Sequence, residues 1–159
     1  MKISAGFLYI TVFFLITAIV SSTLFSISQM KEEALRQAAV AQESHLKTFW
    51  ELMKSKGGEF SVSDGKLLAG KYEINGNYEL PDKIKEIFGG TATIFMGRVR
   101  ISTNVLMADG SRAVGTILEG PAHDSIFNKG RHYRGEALIL GVPYFTAYDP
   151  IRNAGGEVI

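Results

Sequence analysis

The side chains best suited to recognition chemistry fall in the second half of the chain. Residues 91–159 hold six arginines (Arg98, Arg100, Arg112, Arg131, Arg134, Arg152) and one lysine, Lys129; residues 1–90 hold nine lysines and one arginine, Arg36. A guanidinium is a planar fork matched to a carboxylate, whereas an ammonium is a well-hydrated point charge. An anion site is therefore expected in the second half, set against the ordinary alternative of arginines in structural or surface ion pairs. As a strand, RVRISTNV places Arg100, Ser102 and Asn104 on one side and Val99, Ile101, Thr103 and Val105 on the other. VPYFTAY likewise aligns Val142, Tyr144, Thr146 and Tyr148, and YRGEALI aligns Tyr133, Gly135, Ala137 and Ile139. Small residues beside a tyrosine leave room in front of a sheet. Aromatic walls with a few polar groups have the composition of a small-molecule pocket. The plain alternative is that these are half-buried tyrosines of the kind strands favour.

Other chemistries find little support. The chain has no cysteine, which excludes disulfides, thiolate zinc sites and thioether-attached haem. His45, His123 and His132 are scattered and read as surface or structural residues, so no metal site is expected. No G-x-S-x-G elbow, Walker loop, H-E-x-x-H or dinucleotide fingerprint occurs, so neither an enzyme nor a cofactor is expected. A net charge of +1 gives no electrostatic case for nucleic acid.

The elements that must position these residues begin with a membrane segment. No charge lies between Lys2 and Lys31. The apolar run Phe7–Ile27, at 1.5 Å per residue, reaches across a hydrocarbon core of about 30 Å. This predicts a short cytoplasmic N-terminus at 1–6 and an anchor at 7–28, longer than the apolar core of a cleavable signal, about 7–15 residues. The expectation is a single pass through the inner membrane with the remainder outside. A leader of the type IV pilin kind is disfavoured, because Thr11 stands where those proteins carry a glutamate.

Residues 29–57 are rich in helix formers and stop at Gly57-Gly58. Leu35, Ala39, Gln42, Leu46, Phe49 and Met53 follow a 4-3-4-3-4 spacing, which fits either a dimer seam or a stripe packed on the chain's own domain. Over 58–159, Asp64-Gly65, Asn75-Gly76 and Asp109-Gly110 predict hairpin turns. LPDKIKEIFGG predicts a short helix with Ile84, Ile87 and Phe88 inward. TATIFMG and RVRISTNVLMADGSRAVGTIL predict three strands, GPAHDSIFNKG a short helix, and the last two segments two further strands. A long helix against an antiparallel sheet is an α+β layout.

ATIFMGRVRISTNV, ADGSRAVGT and YRGEALILGVPYFTAYDPIRNAGGEVI resemble the extracytoplasmic single Cache sensor domain, type 3, of bacterial chemotaxis receptors and sensor kinases, over about residues 45–159. The resemblance implies a PAS-like fold whose sheet cups a small ligand, often an organic acid, and a homodimer through the N-terminal helix. Arg100, Thr103 and Asn104 match the family's RV-TN run; Tyr133, Gly135, Tyr144 and Tyr148 match its Y-G…Y…Y-PI strands. Arg98 stands where relatives often carry aspartate, which tilts the expected ligand toward an anion. The ligand-binding set is accordingly Arg100 on a carboxylate, Tyr133, Tyr144 and Tyr148 as walls, and Asn104 and Thr146 as secondary donors. The family's sheet continues past Gly155-Gly156-Glu157-Val158-Ile159, so a fragment of a receptor, or a domain with an incomplete last strand, is expected. The alternative function is a structural or dimerisation module with no small-molecule ligand.

Overall fold

After Gly6 the sequence has no glycine or proline until Gly57, and a single helix, α1 (Ala5–Lys56), occupies that stretch in the computed structural model, which describes residues 5–159. The expected segment 1–6 lies, as far as residue 4, outside the described residues. The anchor and the helix expected at 29–57 are thus one element. The chain divides into two compact units, Met1–Ala38 and Ala39–Ile159. In the first, large apolar side chains such as Phe13, Phe14, Leu24 and Phe25 are exposed, and the helix is long and apolar enough to cross a membrane. Water would penalise that surface at about 25 cal/mol per Å².

The second unit opens on the last turns of α1. Phe49 and Met53 are buried in its main core beside Leu67, Ala69, Ile74, Leu80, Ile84, Ile94 and Ile101, and Trp50 and Leu52 pack on the same cluster. At its C-terminal end the heptad stripe follows the second of its two readings: Phe49 and Met53 are committed to the chain's own core. α1 stops where the chain meets the next hairpin, and only glycine fits at position 57, because a Cβ there would run into the Ala69 carbonyl and the Gly70 nitrogen. β1 (Phe60–Ser63) and β2 (Lys66–Ala69) turn at Asp64-Gly65, both with positive φ, and β3 (Tyr72–Glu73) completes an antiparallel ladder.

Asn75-Gly76 is a turn but not a hairpin. Its groups are spent on other elements: Asn75 Oδ1 accepts from Leu67 N (2.8 Å), and Gly76 N donates to Ile101 O (2.9 Å). The chain passes instead into α2 (Glu79–Phe88), which ends at Gly89 with φ +73°. Leu80 and Ile84 are buried and Phe88 packs against the core, an i, i+4, i+8 line; Ile87 lies off it and is exposed, against expectation.

β4 (Thr93–Met96) and β5 (Val99–Thr103) form a tight hairpin that sets Phe95 opposite Arg100. Asp109-Gly110 turns as expected, with Met107 N donating to Ser111 O (2.8 Å). The strand expected after it does not form. Gly115, at φ +86°, breaks the extended chain, and residues 112–118 lie along the edge of β5 through separate bonds: Arg100 N to Thr116 O, Gly115 N to Arg100 O and Leu118 N to Arg98 O. A short helix follows, α3 (Gly120–His123), running into a π-helical turn, Asp124–Asn128. β6 (Tyr133–Ile139) and β7 (Val142–Tyr148) pair throughout, with Tyr133 opposite Tyr148, Gly135 opposite Thr146 and Ala137 opposite Tyr144.

The layout is α+β with antiparallel pairing in every ladder, as the sequence predicts. Among the described residues, however, the strands form three ladders, β1–β2–β3, β4–β5 and β6–β7, in place of one continuous sheet. β4 and β7 face one another across a narrow cavity of about 70 Å³ bordered by Phe49, Phe95 and Ala147.

Candidate functional site

Arg100 sits mid-strand in β5 with its backbone held by the 113–118 segment, and it is only 5% exposed. Its guanidinium lies 5.3 Å from the Phe95 ring centroid, its partner across the hairpin. Phe95 is fixed by a second small core with Leu118, Ala122, Tyr133 and Tyr148. Nε and Nη1 of Arg100 are buried and hydrogen-bond to nothing; they are the only such side-chain atoms among the described residues. Burial drives its pKa down, and the nearby Tyr148 phenol works against that shift. Leaving a buried donor unmade costs about 1–3 kcal/mol, more when it is charged. The arginines nearby differ. Arg112 is forked onto Asp82 (2.7 and 2.9 Å), Arg134 pairs with Glu43 and Asp149, and Arg152 donates to the Gly130 and Gly156 carbonyls.

Arg100 and Tyr148 form part of the lining of a cleft of about 690 Å³. One wall is Thr116 to Pro121, and the other is the tip of the β6–β7 hairpin, from Glu136 to Pro143. The volume suits a small ligand. Burial raises the Tyr148 pKa, opposed by Arg100, so its phenol keeps its proton and remains a donor at neutral pH.

The expected site residues separate into four groups. Arg100 and Tyr148 meet at the cleft. Tyr144 and Thr146 border a different, smaller cavity of about 100 Å³ with Gln42 and His45. Thr146 is buried and donates to Gly135 O (2.9 Å). Tyr133 belongs to the second core; its ring folds over Gly135, where a Cβ would lie 3.0 Å from the phenol oxygen, and its hydroxyl donates to Glu136 O (2.7 Å). Asn104 is a brace. Its Oδ1 accepts from Ala92 N (2.9 Å), and its Nδ2 donates to Pro81 O (2.7 Å) and Gly90 O (3.2 Å), so its amide is spent holding α2 to the start of β4 and it is not part of the Arg100 cleft. Sequence reasoning missed Phe95, although counting outward from the Gly97-Arg98 turn pairs it with Arg100. It missed Thr116 and Glu136 as well, for which no local signal exists.

The cleft is linked to α1 by a polar chain. Trp50 Nε1 donates to Asp149 Oδ2 (3.0 Å), Arg134 Nη2 lies 2.8 Å from Asp149 Oδ1, and Arg134 also bonds Glu43 on the same helix. Arg134 Nη1 donates to Tyr148 O (2.7 Å). The strand that carries Tyr148 into the cleft is thus tied to two positions of α1.

The sequence profile of single Cache domain 3 matches residues 72–159, more than half of the chain. The chain belongs to this family. No curated protein and no solved structure matches it. Membership makes this an extracytoplasmic sensor domain. The matched part of the Cache domain contains both Arg100 and Tyr148 and both walls of the cleft.

Proposed function

We propose that this Cache domain senses a small organic-acid anion for a chemotaxis-type receptor or sensor kinase, with Arg100 as the carboxylate anchor. The carrying observation is the buried guanidinium whose Nε and Nη1 have no hydrogen-bond partner beside an open cleft. A carboxylate brings acceptors to a guanidinium whose Nε and Nη1 have none, and neutralises its charge. The Tyr148 phenol is a second donor to the same anion, and Thr116 borders the cleft beside it.

The domain is anchored by the apolar part of α1, residues 7–28, in a single pass through the inner membrane, with the residues after it outside. Binding acts on β7 and is carried to α1 through Asp149, Arg134, Glu43 and Trp50. A homodimer through α1 belongs to the same proposal, with its contact on faces other than Phe49 and Met53. The alternative, a dimerisation module without a ligand, gives no reason for an unpaired buried arginine.

The test is thermal unfolding of the full chain in detergent with acetate, propionate, butyrate and succinate, beside Arg100→Met. A ligand at 100 times its Kd adds about 2.7 kcal/mol. The reading predicts stabilisation by at least one acid that disappears in Arg100→Met. Stabilisation that persists in the variant would place the anion elsewhere.

A further inference from the structure

The charges on the cleft walls narrow the ligand further. Glu119 and Glu136 stand on opposite walls of the cleft floored by Arg100. Glu119 has a cation near it, Arg98 at 3.6 Å, but Glu136 makes no ion pair among the described residues. One buried guanidinium without acceptors therefore shares a cleft with an exposed carboxylate without a cation. Apart from Thr116 and Tyr148 the remaining lining side chains, Ile117, Leu138 and Pro143 among them, are apolar.

We propose that the cleft takes a ligand bearing both a carboxylate and a cationic amine, an amino-acid-like zwitterion, with Arg100 on its carboxylate and Glu136 on its ammonium. This rests on the carboxylate reading above and deepens it. A di- or tricarboxylate would satisfy Arg100 but bring further negative charge between two glutamates, and like charges at short range are disfavoured. A zwitterion leaves each unmatched group with its complement, and its apolar body meets the apolar part of the walls.

Titration calorimetry on the full chain in detergent, in a buffer free of carboxylates and primary amines, tests this with matched pairs. The pairs are alanine and propionate, leucine and 4-methylpentanoate, and γ-aminobutyrate and butyrate. In at least one pair the amine-bearing member binds tenfold or more tightly, Glu136→Gln brings the two within about threefold, Glu136→Asp keeps part of the preference, and Arg100→Met abolishes binding of both. If the acids without an amine bind equally or better, or the preference survives Glu136→Gln, the zwitterion is wrong while Arg100-dependent carboxylate binding still stands. If no member of any pair binds, both readings fall.

Discussion

Arg100 carries a cost in the empty protein that its removal should relieve. Replacing a buried, unpartnered ion with an apolar side chain of similar length is often neutral or stabilising. Arg100→Met keeps a stem over Phe95 while deleting the charge. We expect the ligand-free variant to unfold at the same temperature as the wild type or a few degrees higher, and to lose its response to carboxylates. A large fall in ligand-free stability would mean that the guanidinium has an internal role. Asn104 predicts the opposite pattern. Asn104→Ala strips partners from Ala92 N, Pro81 O and Gly90 O, so stability should drop by roughly 1–3 kcal/mol in denaturant titration, with ligand preference unchanged. The two residues share one face in the sequence pattern, yet only one reaches the cleft. β5 ends at Thr103, and period-two alternation says nothing about the residue after a strand ends. The surplus of arginine over lysine in the second half of the chain made Arg100 one candidate among six. The missing partners of its Nε and Nη1 were not legible, because they depend on where every neighbouring segment runs.

At the scale of elements, the β6–β7 hairpin and α1 should move together. Trp50 is the only tryptophan, and its indole N–H is bonded to Asp149 just past β7. Ligand binding at Tyr148 is expected to change Trp50 fluorescence. Asp149→Asn together with Arg134→Met should weaken that change while leaving affinity within a few fold. An undiminished fluorescence response in the double variant would remove this route. The junction of α1 with the first hairpin gives a separate check. At Gly57 the obstacle to a Cβ is backbone, Ala69 and Gly70, which cannot rotate away. Gly57→Ala should cost about 1–3 kcal/mol, measured by denaturant unfolding. Element identity was largely readable: the helices carry their glycine stops, the hairpin at Asp64-Gly65 carries its turn chemistry, and Asp109-Gly110 turns although no strand follows it. Asn75-Gly76 misled because its side chain and backbone bond to β2 and β5, partners that a dipeptide signal does not include.

For the whole molecule, α+β and an N-terminal helix long and apolar enough to cross a membrane could be read from periodicity and composition, whereas the division into three ladders could not. Alternation fixes which face a residue occupies but not which strand lies beside it. Acid should loosen the ties between α1 and the rest of its unit. Glu43 is held below the ordinary glutamate range by its bond to Arg134, and Glu79 by Lys56 and Tyr72. Both are depressed in the folded state, so their stabilisation is complete above the unfolded glutamate value, about 4.3, and is lost as pH falls through their lower folded values. Thermal stability of the full chain should therefore be flat from about pH 7 to 5 and decline below about pH 4. Because both carboxylates are exposed, the decline they cause should be shallow; stability that rises on acidification would contradict the assignment.

The central claim is that the Arg100 guanidinium, unpartnered at Nε and Nη1, waits for a carboxylate. The most direct measurement is the Nε–H resonance of Arg100 in a ¹H–¹⁵N spectrum of the full chain in detergent, assigned by its absence in Arg100→Met. On titration with a binding carboxylate, the account predicts a downfield proton shift and slowed exchange with water as the N–H gains an acceptor. A resonance that stays where it was while calorimetry reports saturation would mean that the anion binds somewhere else.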